Sequence, residues 1–511
     1  WNHRKKFIVS RGQGTDKKSV TIWDIFGYFQ RSFVKACQEW SVGQEHLGQI
    51  AAMKAKRGEF ADESPENIRS YCQSECQILV ELFRKLLDCV ASVGLKLSAY
   101  NGAGSIAEAI LRKFDVLSAK DDAPLLERES EIMSAYFGGR FEMRTVGHFE
   151  RLYNYDINSA YPAALLTVPS LTGARWERGV QGIGLVKVRW KIDETRDLFG
   201  PLPVRAKDQS ITYPSCGTGW YWSFEADAAR EYLREVFAVE LEYIDGWELV
   251  TISDEKPFEF LRELYVERRR RKLNGDLGHL VLKLGYNSLY GKCAQNVGTM
   301  RDPDTGEIKR PRFQSFIWAG WVTAMCRIKI LRALTLAPGA VVSIATDGVL
   351  SETPISLPIS TDIGGWEYGE IDRAFLVRPN MYVGRKKDGA LRKTGGFLPD
   401  EEQVDRFIPL FERFGQEAFL IVPTNRFLGL EMALQRGLFP DVWRSWLSET
   451  RVIRAVQHNR QFSDGESAPF SQLQTRMFDG GSESFPYKLR IGWEDYDRDL
   501  DLNYITFSAQ P

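Results

Sequence analysis

The sequence predicts an α+β protein built from several domains. Two observations carry this: a length of 511 residues, which at ordinary domain sizes suggests about three domains, and an apolar pattern that switches repeatedly between helical spacing and strict alternation. Residues 1–95 read as α/β, with Val20-Thr-Ile-Trp-Asp24 as a short buried strand and Pro65 to Leu87 as a long amphipathic helix. Helical patterning continues through 96–135 and includes Asn101-Gly-Ala-Gly104. From Phe149 to Asp156 the period changes to two, which is a strand, and 163–255 is mixed, with strand-like runs and aromatic clusters. Two helices follow, Pro257 to Lys272 and Asp276 to about Gln295, joined by Leu273-Asn274-Gly275, a short polar loop suited to an antiparallel helix hairpin. A third helix covers Ser315 to Ala337 and stops at Pro338-Gly339. A β-hairpin is expected over 341–352, and the last hundred residues read as helical and then irregular.

Composition narrows the function. No run of eighteen or more apolar residues occurs, so no membrane-spanning helix is expected. The chain starts at Trp1 without a signal peptide and reads as a fragment or processed form. Seven cysteines without a C-x-x-C pair argue against a zinc site, although Cys72 and Cys76 sit four apart on a predicted helix. Their odd number without a secretory signal fits a reducing cytoplasm. A formal net charge of −1 weighs against a nucleic-acid binder, yet positive charge is concentrated locally in Arg268-Arg-Arg-Arg-Lys272 and again in Arg385-Lys-Lys387 through Lys393.

Three constellations carry chemistry. The first is Tyr153-Asn-Tyr-Asp156-Ile157-Asn158-Ser159-Ala-Tyr161-Pro162. Leu152, Asn154 and Asp156 share one face of the strand, and Pro162 forbids further pairing, so a carboxylate stands at a strand end followed by exposed amides. Such a place can hold a metal and cradle a triphosphate; taken alone, Asp156 and Ser159 fit a helix cap equally. The second is Lys283-Leu-Gly-Tyr-Asn287-Ser-Leu-Tyr290-Gly291-Lys292. Lys283, Asn287 and Tyr290 form a polar stripe on an apolar helix, and the preceding helix brings Arg268 and Lys272 onto one face, together a phosphate clamp or a solvated helix pair. The third is Val341-Val-Ser-Ile-Ala345-Thr346-Asp347-Gly348, in which Asp-Gly signals a hairpin turn and Asp347 either serves that turn or joins Asp156 in holding divalent metals.

In this order and at these separations, the three strings resemble polymerase motifs A, B and C of the family B DNA polymerases, closest to the protein-primed branch of phages and linear plasmids and its primer-independent relatives. Asp156 to Pro162 is similar to D-x-x-S-L-Y-P, Lys283 to Gly291 to K-x-x-x-N-S-x-Y-G, and Thr346-Asp347-Gly348 to the end of D-T-D-S. Tyr136-Phe-Gly138-Gly139 resembles the Y-x-G-G loop of that branch. The segment between motif A and the arginine-rich helix matches its terminal-protein insertion in place and size, and Lys393-Thr-Gly-Gly396 stands where the family grips the primer. The resemblance runs from about residue 20 to about 460.

It implies a right-hand polymerase of palm, fingers and thumb preceded by a partial RNase H-like exonuclease domain. The expected divisions are 1–95 truncated exonuclease-like, 96–148 connector, 149–256 palm strand with insertion, 257–314 fingers, 315–400 palm with motif C, and 401–511 thumb and C-terminal segment. Asp156, Asp347 and the Ile157 carbonyl would hold two Mg²⁺ ions, Mn²⁺ being an acceptable substitute. One ion would activate the primer 3′-hydroxyl and the other would stabilise the leaving pyrophosphate. Lys283, Arg268 and Lys272 would bind the triphosphate, with Asn158 and Ser159 beside it. Tyr161 would exclude a ribose 2′-hydroxyl, and Asn287 and Tyr290 would shape the base-pair pocket. Tyr136, Gly138, Gly139, Gly291, Lys292, Thr346 and Lys393 would touch DNA, with Lys393 on the primer end. The implied partners of this monomer are primer-template DNA, deoxynucleoside triphosphates and, in protein-primed initiation, a terminal protein.

Two departures stand out: Ala345 replaces the first acid of motif C, and Gly348 its Ser, a change expected to favour the tight turn. Activity is expected to survive both. Tyr71-Cys-Gln-Ser-Glu75 resembles the third exonuclease motif with Glu for Asp, but before Val20 the only acid is Asp16, so no 3′–5′ exonuclease is expected from this chain. The stretch from Gly291 to Ser315 is short, with Asp302-Pro-Asp-Thr-Gly306 as a turn, which implies modest strand displacement. A primer-independent primase-polymerase and a catalytically silent nucleic-acid-binding relative are the competing readings.

Overall fold

The computed structural model describes residues 6–12, 17–29, 31–56, 63–116, 123–192, 198–205, 211–296, 299–301, 308–394, 403–414, 419–427, 446–454, 462–463 and 487–490. Asp16, the turn expected at 302–306 and Gly395-Gly396 lie outside the described residues. In chain order the elements used below are β1 (Lys6–Arg11), β2 (Lys18–Trp23), α1 (Pro65–Ser92), α2 (Ala103–Lys113), β3 (Phe141–Met143), β4 (Thr145–Ile157) and α3 (Ala160–Leu165). They continue with α4 (Leu261–Leu273), α5 (Gly278–Cys293), α6 (Phe316–Leu336), β5 (Val341–Ala345), β6 (Gly348–Ser351), β7 (Trp366–Arg378), β8 (Met381–Lys386), β9 (Gly389–Thr394) and α7 (Gln403–Phe414).

These gather into two compact units. The first comprises Trp1–Leu117, Phe258–Gln314 and Asn425–Leu447. Its long helix α1 starts where Ser64 accepts a hydrogen bond from Asn67 N at 3.2 Å and Pro65 opens the first turn. Tyr71, Ile78, Leu82, Leu86 and Val90 repeat on one buried stripe, the amphipathic face that the sequence predicts. The strand at Val20 exists, but not as a buried one. β2 pairs with β1 alone, and Val20 and Ile22 are 64% and 57% exposed. Alternation of apolar residues marks a strand without saying whether a second layer covers it, and among the described residues none covers this ribbon.

The second unit comprises Ser118–Pro257, Ser315–Thr424 and Ser448–Pro511. Its main sheet runs in the order β9-β8-β7-β4-β6-β5-β3, antiparallel along this path, and the strand Tyr487–Arg490 pairs in parallel with the start of β4. Leu152, Ile371, Phe375, Phe407 and Phe411 join in one core between this sheet and α7, each such side chain contributing about 1.5–3 kcal/mol on burial. The segment from 163 to 255 forms a separate four-stranded sheet, Arg175–Arg178, Glu242–Val250, Gly184–Lys191 and Cys216–Trp222. Helix α6 starts at the Ser315 cap and is buried nearly all round, the mark of a core helix rather than a surface one.

Three local expectations change. After α7 the chain forms strands Phe419–Phe427 and Trp446–Arg454 rather than helix and irregular chain, because short apolar runs do not separate strand from helix. The second helix of the hairpin begins at Gly278, since Asp276 accepts from Gly278 N at 2.8 Å and so caps it. The motif C hairpin turns on Thr346 and Asp347, with Ala345 opposite Gly348. Gly348 therefore lies on the strand and does not supply the turn.

Candidate active site

β4 is the centre of the site because both of its neighbours end at it. Asp156 pairs with Gly348 of β6 on one side and Glu367 of β7 on the other. The turn that carries Asp347 folds onto the end of β4, where Ile157 N donates to the Asp347 carbonyl at 2.9 Å. A Cβ on Gly348 would come within 2.9 Å of Asp156 Oδ1 and 3.3 Å of the Tyr155 carbonyl. Glycine is thus needed there for close approach to a carboxylate, not for a left-handed turn.

Crowding of acids has an electrostatic consequence. The Asp156 carboxyl is pushed up to about 6, first by loss of surrounding water and then by the Asp347 charge, with Glu367 adding to the effect and Lys393 opposing it. It keeps a solvent-exposed surface nonetheless. Lys393 projects from β9 with Nζ 5.8 Å from the Tyr382 ring. The Tyr161 hydroxyl, pushed up to about 12 mainly by burial, senses Asp347 and Tyr136. The structure therefore brings Asp156, Asp347, Tyr161, Tyr136 and Lys393 within electrostatic range.

Two amides expected to be open are engaged. Ile157 N bonds Asp347, and Asn158 N donates to the Gly365 carbonyl at 2.8 Å, while Asn158 Nδ2 donates to the Thr361 carbonyl at 3.0 Å. Asn158 thus fastens a neighbouring loop. Ser159 follows in a left-handed conformation, φ 53°, and starts α3. Glu367 was missed in the sequence because its nearness to Asp156 comes only from the β4–β7 register.

Thr346 is left-handed too, φ 57°. A β-branched residue there is strained by about 1–3 kcal/mol and persists only where its surroundings hold it. Its amide donates to the Arg140 carbonyl at 2.7 Å, and its hydroxyl to Asp347 Oδ1 at 3.0 Å. Its methyl group occupies the space that a Cβ on Gly139 would need, 2.3 Å away, while Gly138 has nothing within 4 Å. Gly139→Ala is accordingly expected to destabilise by about 1–3 kcal/mol, and Gly138→Ala by less than about 0.5 kcal/mol. Thermal melting of the two variants checks this, and equal effects would contradict it. Arg327 of α6, absent from the sequence reading, ties the same loop down. It donates to the Phe137 and Gly138 carbonyls at 2.8 and 2.9 Å and pairs with buried Glu225 at 2.6 Å.

The expected clamp lies in the first unit. Gly285 allows α5 to press on α2, for a Cβ there would stand 2.6 Å from Ile106 and 2.7 Å from Ile110. Tyr286 is buried, leaving Lys283 and Asn287 exposed on the other face. Of the arginine run, Arg271 is structural, bonding Glu267, Asp276 and the Ser92 carbonyl, and Arg270 pairs with Glu267. Arg268, Lys272 and Lys283 join no ion pair among the described residues. All three act on His279, whose pKa is lowered first by burial and then by these cations. His279 precedes Lys283 by one helical turn, a spacing that could have revealed it. Lys292, by contrast, pairs with Glu108 at 3.0 Å. Gly291 is exposed with nothing within 4 Å, so packing does not require it.

The second unit thus carries two carboxylates at the end of its central strand, and the first a helix pair with three cations that join no ion pair among the described residues. The family model described as DNA polymerase type B, organellar and viral, matches residues 43–305 of the 511, and the chain belongs to this family. It is 24% identical over 295 residues to the DNA polymerase of Acidianus bottle-shaped virus (isolate Italy/Pozzuoli), covering 55% of this chain and 43% of that one. It is 26% identical over 253 residues to the primer-independent DNA polymerase PolB of Escherichia coli, covering 44% of this chain and 28% of that one. The chain thus spans less than half the length of either relative. Its fold is that of Phi29 DNA polymerase: the orthorhombic crystal form superposes with TM-score 0.62 at 16% identity, covering 88% of this chain and 83% of that one. The complex of that polymerase with primer-template DNA and incoming nucleotides superposes with TM-score 0.60 at 16% identity and the same coverage. No described helix is long and apolar enough to cross a membrane.

Proposed function

We propose that this chain is the polymerising part of a template-directed DNA polymerase that adds deoxynucleotides to a 3′-hydroxyl, in the replication of a phage or mobile element. The observation that carries this is the pair Asp156 and Asp347: the turn bearing Asp347 folds onto the end of the Asp156 strand, and its charge adds to burial in pushing the Asp156 carboxyl up. In this reading the β4 sheet is the palm, the α4–α5 pair the fingers, and the segment after 400 the thumb.

The carboxylates fit divalent magnesium. Two carboxylates supply the hard oxygen donors that such an ion takes, the rest of its shell being water and substrate phosphates. Bound there, Mg²⁺ would supply Lewis acidity for the attacking and leaving oxygens. Asp156 and Asp347 hold it, and Glu367 adds negative charge beside them. Arg268, Lys272 and Lys283, which join no ion pair among the described residues, bind the triphosphate as cations. Tyr161 backs the sugar and excludes a 2′-hydroxyl, while Asn287 and Tyr290 border the new base pair. Gly291, which packing leaves free, permits close approach of nucleic acid, and Lys393 holds the primer end. Glu75, in the segment that resembles an exonuclease motif, is in an ion pair with Lys54.

A triphosphate would reverse the charge that His279 feels, so binding should be coupled to proton uptake there. Nucleotide affinity is expected to rise as pH falls from 7.5 towards 6, and His279→Asn should flatten that slope. Calorimetric titration at several pH values reads this, and an unchanged slope in the variant would count against it.

The relative named as primer-independent favours a second reading, synthesis without a primer. One assay separates the readings: extension on primed and unprimed template with Mg²⁺. Extension only with primer supports the first, products without primer the second. Binding without synthesis in any condition would sink both.

A further inference from the structure

Among the described residues, the Asp347 carboxylate accepts one hydrogen bond, from Thr346 Oγ1 at 3.0 Å. Its direction therefore depends on Thr346, and Thr346 is held left-handed by the Arg140 carbonyl. That carbonyl is fixed in turn by its own side chain. The Arg140 guanidinium is 1% exposed, donates from Nε to Glu142 Oε2 at 2.7 Å and to the Gly200 carbonyl at 2.8 Å, and lies 3.8 Å over the Tyr213 ring. Glu142 is equally buried and pairs with Ile344 in the β3–β5 ladder, two residues before Thr346. A buried ion pair is a weak source of stability, because desolvation offsets its attraction; its place directly behind a strained turn calls for another role.

We propose that Arg140, together with Glu142, is a positioning residue for Asp347: the buried pair fixes the carbonyl that keeps Thr346 left-handed, and thereby aims the carboxylate. With Ala345 where the family has an acid, Thr346 and Asp347 are the only polar side chains in the turn, so its orientation rests on this support. The inference depends on Asp347 being a metal ligand.

The test is the double variant Arg140→Met/Glu142→Leu, which removes both charges and orphans neither. Mn²⁺ affinity of the DNA-free protein and kcat are each expected to fall about tenfold or more, the range for residues that orient metal ligands. KM for nucleotide should change less than about twofold, since the cations on α4 and α5 are untouched. Combined with Thr346→Val, the loss should be less than additive, because both changes act on one element. Arg140→Lys, which keeps the charge but not the planar fork, should show the same split if the double variant fails to fold. Mn²⁺ affinity and kcat within about twofold of wild type, or full additivity with Thr346→Val, would overturn the proposal. A wild type that extends no primer would instead sink the polymerase reading, while its Mn²⁺ titration still tests the positioning.

Discussion

Asp347→Asn is expected to lower primer extension about 10³-fold at saturating nucleotide, since several kcal/mol of metal-borne charge stabilisation would go with it and each 1.36 kcal/mol is a factor of ten. KM for nucleotide should change little, because the triphosphate is assigned to Arg268, Lys272 and Lys283. Single-turnover kinetics against wild type measures the split, and a loss confined to KM would contradict the assigned roles. Asp156→Asn should be equally inactive yet differ in stability. The folded-state pKa of Asp156, about 6, lies above its ordinary value, so ionisation opposes folding. That cost is absent at pH below the ordinary carboxylate range, grows as pH rises above it, and is complete once pH passes about 6. Metal-free wild type should therefore lose melting temperature between pH 4 and 7 relative to Asp156→Asn. Parallel pH profiles for the two proteins would show that the crowding of the acids has no such effect.

The second large effect concerns Arg327. Its guanidinium and the Glu225 carboxylate, 3% and 2% exposed, pair at 2.6 Å inside the second unit. Arg327→Met alone leaves Glu225 charged and unpaired in the interior and should destabilise by about 3–5 kcal/mol. Arg327→Met/Glu225→Leu should recover most of that stability. The double variant should nevertheless remain impaired in extension, because the Phe137 and Gly138 carbonyls have lost their donor and the loop behind Thr346 is released. Urea unfolding and extension rates on the same samples separate the two. A double variant no more stable than the single one would refute the buried-charge account.

Gly348 teaches how a correct motif can carry a wrong reason. Asp-Gly between apolar runs signals a hairpin, and the hairpin is there, but the turn residues are Thr346 and Asp347. Glycine is required one position later, where any side chain would meet Asp156 Oδ1. β2 makes the same point for burial: its alternation is real, and its exposure depends on a layer that no local pattern encodes. Glu367 and His279 escaped the sequence for different reasons. The first is brought beside Asp156 by strand pairing, the second was visible at helical spacing from Lys283 but has no charge to announce it at neutral pH.

The sequence by itself determined the alternation of helices and strands, the order and spacing of the Asp156, Lys283 and Asp347 motifs, and the resemblance that the family match bears out. These are local properties, set by side-chain type at fixed intervals along the chain. The tertiary structure alone decided which amides after Asp156 are engaged, which arginine of the run is structural, why Gly139 and Gly348 are glycines, and what holds Thr346 left-handed. Each of these depends on atoms that meet through strand register or helix packing, and sequence distance does not measure such meetings.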